Sequence, residues 1–369
     1  MSQPVRVLVV DDSALMRKLI PQIIERDPSV QVVGTAMDGS FGLRKLQELN
    51  PDVVTLDLEM PGMGGIDMLK AIIRQHPVPV IVVSSHSTEG ASITLKALGL
   101  GAFDFVAKPS DVSTHMGDIA VELITKIKAA AQSKGVRVTP IPPALYKNTA
   151  IKADPALAAV PTRIVVIGVS TGGPNALQYV LSQLPGDFPG SILVVQHMPD
   201  GFTDMFARRL NETCAIQVKE AQSGDLLLPG RALICPGNRH LKTKKLPLGN
   251  VAILTDEDRV NGHRPSVDVL FRSAAHEFGP LVVAVLMTGM GDDGAEGLGV
   301  VKAAGGMTIA QNEQSCVVYG MPKAAIERGY ALRVVALEGL ASTLQAQCAT
   351  DGSNRDKALG RKAAHGGQN

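Results

Sequence analysis

Short runs of β-branched and aliphatic residues alternate with amphipathic stretches, twice along this chain. That alternation allows little besides parallel sheets flanked by helices. Val5–Val10, Val30–Val33, Val53–Leu56, Val78–Val83 and Ala102–Val106 are apolar runs of strand length, and Ala14–Glu25, Phe41–Leu49 and Ile66–Arg74 carry apolar residues at helical spacing. Continuous apolar strands are those covered on both faces, so five βα units predict a parallel sheet with helices on both sides. Pro21 falls inside the first helical stretch and is expected to bend it, because it offers no N–H to the Arg17 carbonyl. After about residue 132 the periodicity stops, and residues 133–161, with five prolines, read as a semi-extended tether. A second α/β pattern follows, with strands at Arg163–Ile167, Ser191–Val195, Val251–Leu254, Leu281–Leu286 and Met307–Ala310. The Gly- and Pro-rich stretch Val218–Leu241 is expected to form a small antiparallel excursion, and the polar residues after Thr350 a disordered tail.

A chain of 369 residues exceeds one ordinary core, in keeping with two domains. Lys and Arg number 36 against 35 Asp and Glu, so the net charge is +1, and there is no Trp and only 4 Tyr. Nucleic acid is therefore not an expected ligand: neither a basic excess nor a stacking platform is present. The four cysteines are scattered, without a C-x-x-C pair, which fits reduced thiols in a cytoplasmic protein. No apolar run approaches the roughly 18 residues of a spanning helix, and a strand-like run begins almost at once, leaving no room for a signal peptide. A cytoplasmic chain without membrane insertion is the expectation.

In the first pattern, acidic and basic residues fall at successive strand ends. Asp11 and Asp12 follow the first strand, Asp57 the third, Ser84 closes the fourth and Lys108 follows the fifth. The carboxyl ends of a doubly wound sheet converge on one crevice, so these groups should meet there. Clustered carboxylates suit Mg²⁺, and the cation with Lys108 could neutralise a phosphoryl group on a nucleophilic Asp57. Taken singly each has a plainer explanation: Ser13 or the aspartates could simply cap a helix, and Lys-Pro could be a solvated turn. Val9-Val10-Asp11-Asp12-Ser13, Asp57-Leu58-Glu59-Met60-Pro61, Ser84-Ser85 and Lys108-Pro109 together resemble response-regulator receiver domains over residues 4–125. The resemblance implies a flavodoxin-like (βα)5 fold with Asp57 as phosphoacceptor. It further implies Mg²⁺ held by Asp12, Asp57 and the Glu59 carbonyl, with Asp11 acting through water, and Ser84 and Phe105 as the switch pair. Ser84 stands where many receivers carry Thr, which keeps the hydroxyl.

In the second pattern, Gly168-Val169-Ser170-Thr171-Gly172 follows a strand and opens a helix, matching G-x-S-x-G. A glycine-rich strand–helix turn could equally cradle phosphate, although no P-loop Lys follows and G-x-G-x-x-G spacing is absent. His197 follows the next strand, and Asp292 and Asp293 follow a later one, so a nucleophile, a base and an orienting carboxylate gather on one sheet edge. Spacing alone does not choose between the two neighbouring aspartates.

Ser170-Thr171-Gly172-Gly173, Gln196-His197-Met198-Pro199, Gly262-His263-Arg264-Pro265-Ser266-Val267-Asp268, Leu286–Gly294 and Tyr319-Gly320-Met321-Pro322 resemble the catalytic domain of chemotaxis protein-glutamate methylesterases, the CheB family. Coverage is residues 162–347, leaving 126–161 as linker and 348–369 as tail. The implied fold is a doubly wound, mostly parallel α/β domain with a small antiparallel excursion. Implied roles are Ser170 as nucleophile, His197 as base, Asp293 rather than Asp292 as orienting carboxylate, and the Met290 amide as oxyanion donor. The implied activity is phosphorylation-regulated hydrolysis of glutamate methyl esters on chemoreceptors, with deamidation of receptor glutamines, in chemotaxis adaptation. Implied partners are methyl-accepting chemoreceptors and a chemotaxis histidine kinase, with Mg²⁺ for the receiver, no cofactor for the hydrolysis and a monomeric chain. His263 and Asp268 are expected to organise a helix entry, and His240 and His276 carry no signal. A binding module at Gly168–Gly173 and a transcriptional regulator are the rival readings; neither accounts for His197 and Asp293 at strand ends.

Overall fold

The computed structural model describes residues 3–85, 87–108, 116–133 and 160–349. The first domain runs β1 (Val5–Val10), α1 (Ala14–Ile24), β2 (Val30–Ala36), α2 (Gly39–Leu49), β3 (Val53–Leu56), α3 (Gly65–Gln75), β4 (Val80–Ser84), α4 (Thr88–Leu100), β5 (Asp104–Ala107) and α5 (Met116–Gln132). Its five strands are parallel in the order β2-β1-β3-β4-β5, the flavodoxin-like arrangement. Side-chain caps start the helices: Ser13 accepts from the Met16 amide, Asp38 from Phe41 and Ser87 from Gly90. Ser13 thus does cap α1, and this leaves the preceding aspartates for other work. Helix α1 continues through Pro21 rather than ending there.

The receiver boundary at residue 125 falls short. Helix α5 extends to Gln132, with Leu123, Ile127 and Ala130 buried against the sheet. Its apolar face continues through residues that the linker range had included. Most of the tether and the tail lie outside the described residues.

The second domain runs β6 (Ile164–Val169), α6 (Gly173–Leu181), β7 (Ser191–Gln196), α7 (Phe202–Thr213), β8 (Gln217–Glu220), β9 (Arg231–Ile234), β10 (His240–Leu246) and β11 (Gly249–Thr255). It continues with α8 (Val267–Phe278), β12 (Val282–Leu286), α9 (Ala295–Ala303), β13 (Met307–Gln311), α10 (Met321–Glu327), β14 (Arg333–Val335) and α11 (Leu337–Cys348). Seven strands form a parallel sheet in the order β14-β13-β12-β6-β7-β9-β8. The small antiparallel excursion exists but lies later than Val218–Leu241. That stretch contributes β8 and β9 to the main sheet, whereas β10 and β11 pair as a separate hairpin. The hairpin lies against α8, where the Ser273 hydroxyl accepts from the Thr243 amide at 2.8 Å. Strand order reverses beside β6, with β7 on one side and β12 on the other, so the crevice opens past the ends of these three strands.

The domains share a packed interface. Phe105 of β5 stacks on Phe202 of α7 with centroids 4.8 Å apart. Asn175 of α6 donates to the Leu98 carbonyl at 2.8 Å, and Arg209 of α7 donates to the Leu95 carbonyl, also at 2.8 Å. Both hydrogen bonds address carbonyls toward the C-terminal end of α4, where the helix dipole favours a cation. A Cβ on Gly99 would lie 2.3 Å from the Arg209 guanidinium, so a larger residue there would displace the Arg209 side chain. Asp104 is buried at this junction among Lys126, Glu122 and Thr171; burial pushes its carboxyl up against the opposing pull of Lys126. Among the described residues no helix is long and apolar enough to cross a membrane.

Candidate active site

The first-domain cluster forms as the strand ends require. Carboxylate oxygens of Asp11, Asp12 and Asp57 lie within 4.8 Å of one another. Lys108 Nζ bridges Asp57 Oδ2 at 2.7 Å and Asp11 Oδ2 at 3.0 Å. Burial pushes the Lys108 ammonium down, but its bond to Asp57 and the charges of Asp57 and Asp11 outweigh this and raise it, so it stays charged. Burial raises the Asp11 carboxyl despite Lys108. The buried Asp11 Oδ2 is held by the Lys108 ammonium, and the three carboxylates stand close enough together to share a hard cation. The Glu59 side chain turns away and accepts from Ser85 at 2.6 Å, while its amide donates to Asp57 Oδ1 at 3.1 Å. Ser84 Oγ faces α4, accepting from Thr94 at 2.6 Å and donating to the Gly90 carbonyl at 3.2 Å.

In the second domain, Ser170, His197 and Asp293 stand past the ends of β6, β7 and β12. The turn after β6 is pinned from below: the Ser170 amide donates to the Thr288 carbonyl at 3.0 Å, and the Thr288 hydroxyl donates to the Thr171 carbonyl at 3.0 Å. Gly172 has φ +73°, the left-handed turn that lets α6 start three residues after Ser170. His197 Nε2 lies 2.8 Å from Asp293 Oδ2. The exposed Asp292 instead pairs with Arg328 at 2.6 Å, so the structure separates the two neighbours that spacing could not.

Asp293 is buried at the N-terminus of α8. Its carboxylate accepts from the Val267 amide at 2.7 Å, the Ser266 hydroxyl at 2.8 Å and the Asp268 amide at 3.3 Å. Burial alone would raise this carboxyl, but the His197 bond and charge, with the Val267 and Ser266 donors, bring it to about 2. An ionised carboxylate can only accept, so Nε2 carries a proton, and in the neutral imidazole Nδ1 holds the lone pair. Nδ1 is buried and has no hydrogen-bond partner. Among the described residues Ser170 Oγ makes no hydrogen bond, and the Met290 amide donates to none. The Gly289 backbone lies directly against Ser170, which brings the Met290 loop to the nucleophile.

Sequence reasoning missed several supports. Ser266 stands at the N-cap of α8, yet its hydroxyl caps no helix amide and bonds Asp293 instead. His240, silent in the sequence, is buried and accepts from the Ser266 amide at 3.2 Å. Asp268 does organise the helix entry, accepting from the Gly297 amide at 2.6 Å. His263 does more than that: its ring stacks on His197 with centroids 3.9 Å apart and planes 6° from parallel. The contact joins residues 66 positions apart, which no local spacing reveals.

Burial, helped by neighbouring His197, holds the His263 imidazole down to about 4. Below the usual histidine value of about 6.5 the unfolded chain takes up a proton that the folded chain refuses. This site therefore costs stability as pH falls from about 6.5 to about 4. His263→Phe is expected to lose less stability than the parent on acidification. The difference between pH 7 and 4.5, read by urea unfolding, should be about 2 kcal/mol after allowing for the ring's partial exposure. Equal losses in both chains would contradict it.

Comparisons with known proteins agree with this organisation. Residues 7–119 match the response regulator receiver domain family, and residues 165–344 match the CheB methylesterase family. The chain is 60% identical over 351 residues to protein-glutamate methylesterase/protein-glutamine glutaminase 2 of Koribacter versatilis, covering 94% of this chain and 97% of that protein. It is 48% identical to the protein-glutamate methylesterase/protein-glutamine glutaminase of Halalkalibacterium halodurans, covering 94% and 99%. The crystal structure of the Thermotoga maritima CheB methylesterase catalytic domain matches with TM-score 0.50 and 43% identity, covering 51% of this chain and 99% of that one. With a receiver in front and this hydrolase domain behind, the chain belongs to the protein-glutamate methylesterase/protein-glutamine glutaminase family, enzymes that hydrolyse both an ester and an amide of a glutamyl side chain.

Proposed function

We propose that Ser170, His197 and Asp293 hydrolyse γ-methyl esters of glutamate, and γ-amides of glutamine, on methyl-accepting chemoreceptors in the cytoplasm, and that the receiver controls access to them. The observation that carries the chemistry is the 2.8 Å His197–Asp293 bond, which leaves Nδ1 without a hydrogen-bond partner on a residue whose backbone is bonded to the strand end just before Ser170. Ser170 Oγ attacks the ester carbonyl as Nδ1 takes its proton. The Met290 amide donates to the developing oxyanion. The imidazolium, stabilised by Asp293, returns the proton to the departing methoxide, and methanol leaves. Water, deprotonated by the same Nδ1, then attacks the acyl-enzyme and releases glutamate with Ser170 restored. An amide follows the same path with ammonia as leaving group. The output is receptor adaptation in chemotaxis.

Asp57 is the proposed phosphoacceptor from a chemotaxis histidine kinase. Asp11, Asp12 and Asp57, with the Glu59 carbonyl, would hold Mg²⁺, and three carboxylates within 4.8 Å of one another fit that ion. When bound, the ion offsets phosphoryl charge. Lys108, already on the Asp57 oxygen that faces it, is the second positive group for the phosphoryl oxygens. Ser84 and Phe105 are the switch pair. Here Ser84 points to α4 and Phe105 is packed on Phe202 of the catalytic domain, so the switch residue is also an interface residue. The receiver lies close to the catalytic face, since Thr171, next to Ser170, adjoins Asp104. Phosphorylation would loosen this contact.

Arg209→Ala removes a charge-assisted bond to α4. Such bonds contribute about 1.5–3 kcal/mol, so the undocked population should rise about tenfold or more. Methanol release by the unphosphorylated full chain is expected to rise accordingly, and a chain beginning at residue 162 should show at least the same gain. Equal or lower activity in both would contradict inhibition by docking.

A further inference from the structure

Gln196 closes β7 immediately before the base, and its side chain is buried. The last rung between β6 and β7 is the His197 amide donating to the Val169 carbonyl at 3.1 Å. Beyond it the backbones part, Ser170 turning toward α6 and His197 toward the Met198-Pro199 loop. Gln196 Nε2 spans that gap, donating to the Ser170 carbonyl at 3.0 Å and to the His197 carbonyl at 3.0 Å. Both amide hydrogens are thereby used, one on the residue bearing the nucleophile and one on the residue bearing the base.

The acceptor end of the same side chain has no partner although it is buried. A side chain selected for packing alone would not bury an acceptor unpaired. The surroundings are built to admit it all the same. A Cβ on Gly173 would stand 2.1 Å from Gln196 Oε1, so glycine at the first position of α6 is what lets the amide lie beneath the Ser170 turn. The Ser170 carbonyl also accepts from the Gly173 amide at 2.8 Å, so the strut and the helix start hold the same oxygen.

We infer that Gln196 is a positioning residue that ties the Ser170 turn to the His197 turn and fixes the approach of Oγ to Nδ1. It touches no reacting atom and acts through the two backbones it joins. Displacement of a nucleophile from its base by an ångström costs roughly 100-fold in rate, so loss of the strut is expected to lower kcat by about 10- to 100-fold. KM should stay within about twofold, because the substrate surface is untouched. This inference rests on the proposed roles of Ser170 and His197.

The test uses the full chain with Mg²⁺ and acetyl phosphate, comparing the parent with Gln196→Met and Gln196→Glu. Met keeps the length of the side chain without either donor, and Glu keeps its shape but turns acceptors toward both carbonyls. Methanol release from methyl-esterified receptor fragments gives kcat and KM. The rate of labelling by a fluorophosphonate reports Ser170 activation, and labelling at completion counts folded sites. The expected result, per labelled site, is a kcat lowered at least tenfold in both variants, KM nearly unchanged, and labelling slowed in parallel. A kcat within twofold of the parent in folded Gln196→Met would overturn the inference. So would a complete lack of folded sites in both variants, which would make Gln196 a folding residue. Failure of the parent to be labelled at Ser170 would remove the Ser170 assignment itself, and this inference with it, and is told apart by mapping the labelled residue.

Discussion

Ser170→Ala is expected to lower methanol release by at least about 10⁴-fold while leaving phosphorylation at Asp57 intact. Loss of the nucleophile removes the covalent route and leaves only the oxyanion donor and substrate positioning. The fold should tolerate the change. Ser170 is held through its backbone, by the Thr288 carbonyl below and the Gly173 amide above, and its hydroxyl makes no hydrogen bond among the described residues. Melting temperature should therefore move little. Phosphorylation should be unaffected because the Asp57 cluster belongs to the other domain, with its own sheet. A variant that kept more than about a hundredth of parental activity would place the nucleophile elsewhere.

Asp293→Asn should be nearly as severe, for a different reason. The carboxylate at about 2 forces the His197 proton onto Nε2 and so keeps Nδ1 free as the base. An amide in its place can turn its NH₂ toward Nε2, which moves the ring proton to Nδ1 and blocks the step. A loss of about 10⁴-fold in kcat is the expected size of a wrong tautomer. The Ser266 hydroxyl and the Asp268 amide, both on Oδ1, would keep the amide oxygen there and so turn the NH₂ toward Nε2, against the Val267 amide that donates to Oδ2. Asp292→Asn, which removes only a surface pair with Arg328, should leave kcat within about twofold. Equal effects at the two positions would contradict the assignment.

Much of this was legible in the residues because strand ends in doubly wound sheets converge. Val5–Val10 and Val53–Leu56 were readable as continuous apolar runs, and their termini placed Asp11, Asp12 and Asp57 together. The same logic put Ser170, His197 and Asp293 on one edge, since Ile164–Val169, Ser191–Gln196 and Val282–Leu286 are equally apolar. What stayed hidden was lateral. Val218–Leu241 looked antiparallel because its strands β8 and β9 are only 4 residues each and separated by Gly and Pro; their pairing depends on β7, which spacing does not disclose. The extent of α5 is legible in the helical periodicity, which runs to about residue 132, and not in the receiver motifs, whose reach ends near 125. His263, Ser266 and Gln196 act on partners 26 to 66 residues away, through a stack or a hydrogen bond, and their residue types alone are unremarkable in turns.

The receiver interface deepens that lesson. The resemblance to receivers implies a switch role for Phe105, but nothing in the sequence says that it stacks on Phe202 or that Arg209 and Asn175 hold α4. The contacts between the two domains join residues 77 and 114 positions apart, beyond any local signal.

The most direct test is methanol release from methyl-esterified receptor cytoplasmic fragments, measured with and without Mg²⁺ and acetyl phosphate, for the parent, Ser170→Ala and Asp57→Asn. Release that rises with the phosphodonor in the parent, stays at its unstimulated level in Asp57→Asn and is absent in Ser170→Ala is the predicted result. Release from Ser170→Ala at the parental rate, or an absence of release from a parent that is phosphorylated at Asp57, would contradict the account.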